Sequence, residues 1–185
     1  MIDLFEAALR LQEFCDGQGW RGCFIGGIAV QRWGEPRLTR DIDLTLLAGF
    51  GGEGRFIDPL LAAYAPRIAG AREFALAHRV LLLRTAGAVG IDISLGALPF
   101  EALVVERATQ CSFGPGFDLR TCSAEDLIVL KLFASRPLDI RDAEGVAIRN
   151  RERLDWPYIE EQLRPLAEVK GDPEIARGLD RLRRL

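Results

Sequence analysis

The apolar positions along the chain follow two periodicities, which divide it into a part rich in strands and a part rich in helices. Apolar residues alternate with other residues over 41–47, which predicts a β-strand because neighbouring strand side chains point to opposite faces. Two further strands are predicted over 79–85 and 89–95, joined by a short turn, and another over 22–25. From residue 123 onward the pattern becomes helical.

Helical spacing and turn residues mark the remaining elements. Glycine and proline at 114–116 indicate a turn between two more strands, and Ser123 is expected to cap the helix that follows it. Because the sheet elements come in irregular order, we expect an α+β (α/β) fold with a small mixed sheet flanked by helices. The predicted domains are residues 1–122, which form the sheet, and residues 123–185, which form a helical C-terminal part. Helices are predicted over residues 2–15, 28–33, 58–64, 99–108, 124–134, 139–150, 156–166 and 174–185.

Composition places the chain among ordinary globular proteins. Its 185 residues are 49% hydrophobic and 28% charged, and no apolar run approaches the roughly 20 residues needed to span a bilayer. The N-terminal segment lacks the basic start of a signal peptide, so a cytoplasmic protein without a membrane anchor is expected. The four cysteines are scattered and His78 is the only histidine, which predicts reduced thiols and disfavours a zinc site.

Three aspartates occupy strand positions that an apolar core does not explain. Asp41 and Asp43 share one face of the strand at 41–47, with α-carbons about 6.6 Å apart. At an effective dielectric constant near 20, their carboxylates repel by roughly 2–3 kcal/mol. Asp92 repeats the anomaly in the strand at 89–95, where it alternates with apolar residues. If the two strands are neighbours, the three carboxylates converge, and hard oxygen ligands of this kind suit Mg²⁺ or Mn²⁺.

A diglycine pair supplies a second feature of an anion site. Gly26 and Gly27 separate the strand at 22–25 from a helix, so backbone N–H groups there can approach a phosphate closely. Each feature also has a structural explanation when it is taken alone. The glycines fit any tight turn, Asp41 and Asp43 fit a cap or ion pairs with Arg37 and Arg40, and Asp92 fits a structural acid. Taken together, the features favour a functional site.

These residues resemble the polymerase-β-type nucleotidyltransferases. The pattern stands here as Ile25-Gly26-Gly27, then the Asp41-Ile42-Asp43-Leu44 strand, then Ile91-Asp92-Ile93. The segment GGIAVQRWGEPRLTRDIDL is similar to the group that contains AbiEii-type toxins and related uncharacterised proteins. That group continues with a lysine-bearing helix and an Arg- and Asp-rich segment. The residues here that match this continuation are Lys131, Arg136, Asp139 and Asp142.

The resemblance implies roles for individual residues. Gly26 and Gly27 would hold a nucleoside triphosphate (NTP), with Arg37, Thr39 and Arg40 as further nucleotide-binding residues. Asp41, Asp43 and Asp92 would bind the metal ions, and Asp92 would also help to deprotonate the acceptor hydroxyl. Lys131 would neutralise phosphate charge as a point cation, while Asp142 would orient Lys131 or Arg136.

The expected activity is metal-dependent transfer of a nucleoside monophosphate from an NTP to an acceptor hydroxyl of RNA, protein or a small molecule. Two alternatives are open: a catalytically silent nucleotide-binding scaffold of the same fold, and a tRNA-directed toxin with an antitoxin protein as partner. The net charge of −3 argues against a broad grip on nucleic acid. A local arginine cluster within 177–185 argues mildly for tRNA, although a solvated face of a terminal helix is the simpler explanation.

Overall fold

The computed structural model describes residues 2–185 and divides them into two compact units. The first, here called the sheet unit, comprises residues up to Ile28 together with Leu38–Thr121. The second, here called the helical unit, comprises Ala29–Arg37 together with Cys122–Leu185. Residues 29–37 thus join the C-terminal helices, and the division into domains 1–122 and 123–185 stays a prediction.

The sheet unit contains one seven-stranded mixed sheet in the order β3-β4-β5-β2-β1-β7-β6. Strand β2 pairs in parallel with β5, and β1 pairs in parallel with β7, whereas the other four pairings are antiparallel. This confirms the prediction of a mixed sheet. The strands are β1 (Gly22–Phe24), β2 (Asp41–Leu47), β3 (Ala65–Pro66), β4 (Val80–Arg84), β5 (Gly90–Gly96), β6 (Thr109–Ser112) and β7 (Asp118–Thr121).

Helices occur in both units. They alternate with strands in the sheet unit and make up most of the helical unit. Those of the sheet unit are α1 (Ile2–Gly17), α3 (Gly54–Ala63), α4 (Ala71–His78) and α5 (Pro99–Glu106). Helix α2 (Gly26–Trp33) begins in the sheet unit and ends in the helical unit. The helices of the C-terminal half are α6 (Ala124–Ala134), α7 (Pro137–Asn150), α8 (Trp156–Lys170) and α9 (Pro173–Arg183).

The alternation in β2 and β5 determines which sheet face is buried. Ile42 and Leu46 in β2 and Ile91 and Ile93 in β5 are fully buried in the hydrophobic core. Asp43 and Asp92, which alternate with these residues, therefore lie on the opposite face and are only partly buried. The same pattern that makes the core thus places the aspartates on one face of the sheet.

Helix α6 begins with the cap that the sequence predicts. The hydroxyl of Ser123 accepts a hydrogen bond from the backbone N–H of Asp126 at 3.1 Å and donates one to the Asp126 carboxylate at 2.7 Å. The other carboxylate oxygen of the buried Asp126 accepts a hydrogen bond from the Tyr158 hydroxyl at 2.6 Å. This chain of bonds fixes the start of α6 and ties it to α8.

Several elements differ from the sequence-based expectation: helix α2 begins two residues earlier, at Gly26, and α8 continues four residues further, to Lys170. Helix α3 begins at Gly54, four residues before the predicted start, because Glu53 and the following residues already form backbone helical hydrogen bonds. Helix α4 and the two-residue strand β3 were not expected. Strand β3 is too short and too exposed for an apolar alternation to appear, and α4 is entered through Gly70 in the left-handed conformation.

The glycine-rich loop at 48–55 is held by an arginine. Arg79 donates hydrogen bonds to the carbonyl of Gly49 at 2.8 Å and to that of Leu95 at 2.5 Å, and it forms an ion pair with Glu53. The glycine-rich sequence of this segment predicts a flexible loop, and such a loop could close over a substrate. The loop instead leaves β2 at its C-terminal end, about 20 Å along the strand from Asp41. We therefore do not assign it a substrate-covering role.

Two further features of residues 2–185 are the lengths of their helices and the state of their cysteines. Within residues 2–185, no helix has the length and apolar character required to cross a bilayer. The four cysteines carry free thiols, and three of them are buried. Burial, together with the nearby carboxylate of Asp16, raises the pKa of the Cys15 thiol to about 12 despite the opposing charge of Arg120, so this thiol is unreactive at neutral pH.

Candidate active site

Two neighbouring parallel strands bring the three sequence-predicted aspartates together. In the β2–β5 pairing, Asp43 lies directly opposite Asp92, and Asp41 lies opposite Gly90. Paired residues of adjacent strands point to the same sheet face, and the strands are about 4.8 Å apart. Asp43 is therefore flanked by Asp41 along its own strand and by Asp92 across the sheet.

The aspartate cluster is accessible to solvent. The side chain of Asp41 is 54% exposed and that of Asp92 is 34% exposed. Burial raises the pKa of Asp92 above its usual range. The guanidinium of Arg67 opposes this rise, whereas the carboxylates of Asp43 and Asp41 add to it. The site is thus a partly desolvated concentration of negative charge that a solute can reach.

The diglycine turn lies against Asp43. The backbone N–H of Ile25 donates to the Asp43 carbonyl at 3.0 Å, and that of Gly27 points to the Asp43 carboxylate at 3.4 Å. Gly26 has a φ of 54°, and a Cβ at this position would lie only 2.5 Å from the Cγ of Asp43. Only glycine allows this turn and the carboxylate to approach so closely. Helix α2 begins at the same residue, so its N-terminal N–H groups start beside the carboxylates.

Thr39 and Arg40 lie directly before β2. A Cβ on Gly27 would lie 2.7 Å from the Cβ of Thr39, so the second glycine makes room for this threonine. The Thr39 hydroxyl donates to the backbone carbonyl of Asp41 at 3.3 Å, a local bond at the start of β2. Arg40 is exposed. Both residues therefore lie at the aspartate end of β2.

Arg67 is a residue of this site that the sequence analysis did not identify. Its guanidinium forms a short ion pair with Asp92, and its Nη1 lies 3.8 Å from the Oδ1 of Asp41. A Cβ on Gly90 would lie 2.8 Å from that Nη1, so the glycine before Ile91 provides the space the guanidinium uses. Arg67 follows the short edge strand β3, and no periodic pattern marks it. The local feature of the sequence that points to Arg67 is the glycine directly before Ile91-Asp92.

The chemistry of the donor set fits a hard divalent cation. All three side chains are carboxylates, which is the ligand type that Mg²⁺ and Mn²⁺ prefer. Across residues 2–185, no three histidine, cysteine or acidic side chains are positioned as a preformed ligand set. In the arrangement described, Arg67 supplies positive charge to two of the three aspartates.

The remaining predicted residues form a second cluster, inside the helical unit. Lys131 on α6 is only 6% exposed, and its Nζ lies 2.8 Å from Asp139 and 2.8 Å from Asp142, both on α7. Arg37 donates two hydrogen bonds to the Asp142 carboxylate, at 2.8 and 2.9 Å. The exposed Arg136 pairs with the buried carboxylate of Asp139. Asp142 thus contacts Lys131 directly.

Electrostatics in this second cluster favour the ionised acids. Burial alone would raise the pKa of Asp142, but hydrogen bonds and charge from Arg37 and Lys131 outweigh it and lower the pKa below the usual value. The pKa of Asp139 is lowered in the same way, with Arg136 and Lys131 outweighing burial. The cluster is a satisfied ion network, and its role in binding a nucleotide stays a prediction.

The chain can be compared with solved structures. The chain is similar to an antigenic nucleotidyltransferase-like protein from Paracoccidioides brasiliensis, with a TM-score of 0.54 and 15% identity over 95% of this chain and 91% of that one. It also matches the antibiotic-resistance factor ANT(2'')-Ia, with a TM-score of 0.47 and 18% identity over 98% of this chain and 86% of the other. The first likeness shows the nucleotidyltransferase fold. A search of curated protein sequences finds no match.

Sequence comparison identifies the family. The family described as nucleotidyl transferase AbiEii toxin, type IV toxin–antitoxin (TA) system, matches residues 17–144, which is more than half of the chain. The match includes the diglycine turn, all three aspartates and the Lys131 cluster. The chain is a nucleotidyltransferase and belongs to the AbiEii family of type IV toxin–antitoxin systems.

Proposed function

We propose that the protein transfers a nucleoside monophosphate from an NTP to an acceptor hydroxyl in a reaction that requires Mg²⁺ or Mn²⁺. The observation that carries this proposal is the parallel pairing of Asp43 with Asp92, with the diglycine turn packed on Asp43. It combines a carboxylate cluster with a backbone anion site, which are the two features that phosphoryl transfer needs.

The three aspartates hold the metal in this proposal. Asp41, Asp43 and Asp92 provide oxygen ligands on one face of the sheet, and two of them are at least one-third exposed. A divalent ion bound there would neutralise phosphate charge and orient the reacting oxygens. Without a cation, the same aspartates repel an NTP, so the site accepts nucleotide and metal together.

The turn before α2 receives the triphosphate. Gly26 and Gly27 carry no side chains, and the first N–H groups of α2 favour a negative group at the helix N-terminus. Arg40 is exposed beside Asp41 in sequence and adds positive charge for the phosphates, while the Thr39 side chain packs against Gly27 of the turn. These contacts hold the triphosphate in place for in-line attack.

Asp92 accepts the proton of the acceptor. The hydroxyl oxygen forms a bond to the α-phosphorus, the bond from that phosphorus to the bridging oxygen breaks, and pyrophosphate leaves. The hydroxyl proton passes to the Asp92 carboxylate, which is about one-third exposed and so accessible to an acceptor. Asp41 and Asp43 remain ligands throughout.

Lys131, Arg37 and Asp142 are proposed to support nucleotide binding through their ion network. The Lys131 ammonium is already matched by two carboxylates, so a direct contact with phosphate requires that one of them is released. We expect a defect in nucleotide affinity from Lys131→Met in addition to any loss of stability, and nucleotide titration of folded variant protein separates the two.

The reaction is tested with α-labelled NTPs, Mg²⁺ or Mn²⁺, and three acceptor classes: total tRNA, protein extract and small hydroxyl compounds. Transfer of label by the wild type and at least about 10–100-fold less by Asp41→Ala is expected, because loss of a residue that only supports a metal ligand already costs that much. Asp58→Asn, which removes an exposed carboxylate paired with Arg72, is the matched control and should keep full activity. Nucleotide binding by calorimetry without any transfer would identify a silent scaffold instead.

The family match also supports a toxin role with an antitoxin protein as partner. The arginines of α9 give only modest support for tRNA as acceptor, because Arg177 and Arg183 already pair with Glu174 and Glu160. Expression of the protein should arrest growth, and Asp43→Asn should relieve the arrest. Growth arrest that persists with Asp43→Asn would show that toxicity does not arise from nucleotidyl transfer.

A further inference from the structure

Arg67 is aligned with the aspartates by main-chain register as well as by its side chain. Its backbone N–H donates to the carbonyl of Leu82 at 3.0 Å, Leu82 pairs with Asp92, and Asp92 pairs with Asp43. These four residues form one row across β4, β5 and β2, beginning just beyond the end of β3. The guanidinium is therefore anchored to the same sheet that carries the carboxylates.

The contacts of Arg67 differ from those of an ordinary surface ion pair. Arg72 pairs with Asp58 alone, and both side chains of that pair are about half exposed, at 45% and 56%. Arg67 is 29% exposed and contacts both Asp92 and Asp41, in a space that exists because residue 90 has no side chain. Burial and the carboxylates of Asp43 and Asp41 disfavour the ionised form of Asp92. The guanidinium of Arg67 beside Asp92 offsets that cost.

We propose that Arg67 is the internal counter-ion of the aspartate cluster and sets its metal affinity, because the guanidinium and a divalent cation compete for Asp92 and Asp41. This inference rests on the proposed metal-dependent function. Binding of the metal requires that Arg67 release Asp92, and the released guanidinium then lies beside the site with its charge unmatched. A triphosphate that arrives with the metal supplies a new partner for that charge.

The affinity for the metal should therefore rise when Arg67 is removed. If Arg67 only stabilised the structure, its removal would lower that affinity. We expect Arg67→Gln to bind Mn²⁺ about fivefold more tightly than the wild type in the absence of nucleotide, the factor that corresponds to partly exposed charge pairs. Arg67→Lys keeps the charge but loses the planar fork, so its affinity should lie between the two. Arg72→Gln removes the same charge from an aspartate outside the site and should leave the affinity unchanged.

The experiment is a calorimetric titration of Mn²⁺ into the wild type, these three variants and Asp43→Asn, with thermal unfolding measured with and without Mn²⁺. Metal-free Arg67→Gln should unfold at a lower temperature than the wild type and should gain more from Mn²⁺. If Arg67→Gln does not fold, Arg67→Lys carries the test, and an affinity equal to or below that of the wild type contradicts the proposal.

The outcomes separate this inference from the proposed function. Wild-type binding that Asp43→Asn abolishes, with Arg67→Gln no tighter than the wild type, overturns the counter-ion role and leaves the metal site standing. Absence of Mn²⁺ binding in both the wild type and Arg67→Gln overturns both. Binding in Arg67→Gln alone supports the competition in its strongest form.

Discussion

Gly26 and Asp43 are packed so closely that a single added carbon at residue 26 would lie 2.5 Å from the Asp43 Cγ. This contact joins the end of β1 to the middle of the aspartate cluster. It makes the glycine part of the site, because the position of the carboxylate and the conformation of the turn depend on each other. The positive φ of Gly26 is a second and independent reason for glycine there.

Gly26→Ala should therefore disrupt the site as well as strain the backbone. The methyl group displaces the Asp43 carboxylate, so we expect Mn²⁺ affinity and label transfer to fall at least about tenfold. Gly49→Ala is the control, since Gly49 also has a positive φ but has open space around its Cβ position. The free energy of unfolding of Gly49→Ala should fall only by the roughly 1–2 kcal/mol that a left-handed alanine costs. Equal metal affinity in both variants would contradict the role of the Gly26–Asp43 contact.

Local sequence patterns were sufficient to predict the strands that carry the aspartates and the cap at Ser123. The alternation in β2 and β5 predicts which side chains share a face, and both strands lie close to their predicted bounds. The sequence could not establish that the two strands are neighbours, because pairing between strands more than 40 residues apart depends on the chain topology. The structure supplies that adjacency through the β2–β5 register.

Arg67 illustrates what local patterns do not reveal. It follows a two-residue edge strand, and its importance comes from contacts with Asp41 and Asp92, which lie about 25 residues away on either side. Lys131 shows the reverse case. Its position in an otherwise apolar helix is visible in the sequence, but its burial between two aspartates depends on how α7 packs against α6.

Lys131→Met should destabilise the protein strongly. Removing the ammonium leaves Asp139 and Asp142 buried with less compensating charge, and breaking a buried ion pair in this way costs about 3–5 kcal/mol. The free energy of unfolding in urea measures the loss. Lys170→Met is the control, because Lys170 is exposed and caps carbonyl groups of α6. A loss from Lys131→Met no larger than that of the control would show that the network contributes little.

Acid should remove the stability that Asp142 contributes. Its pKa is lower in the folded protein than the ordinary value of 3.8, so the folded state binds protons less readily than the unfolded state. The contribution is therefore fully present above pH 3.8 and is lost as the pH falls through the folded pKa. We expect the difference in unfolding free energy between the wild type and Asp142→Asn to be constant from pH 7 to 5 and to shrink below pH 4. A difference that grows below pH 4 would contradict this assignment.

Removal of Arg79 should release the loop at 48–55 without affecting the site. Arg79→Ala removes the hydrogen bonds to Gly49 and Leu95 and the contact of the guanidinium with the Phe50 ring, 4.7 Å from its centroid. Limited proteolysis should cut the variant faster within this loop. The rate should be the same with and without NTP and Mn²⁺, because the loop lies at the far end of β2 from Asp41. Protection by nucleotide would show that the loop covers substrate after all.

The proposed activity requires that an NTP reacts at the aspartate cluster, and pyrophosphate release tests this most directly. The protein is incubated with NTP, Mn²⁺ and a mixture of acceptors, and pyrophosphate is followed over time for the wild type and Asp43→Asn. We predict steady release by the wild type and a rate at least about 10–100-fold lower for the variant. Equal rates from the two proteins, or no release from a wild type that binds the metal and the nucleotide, would contradict the account.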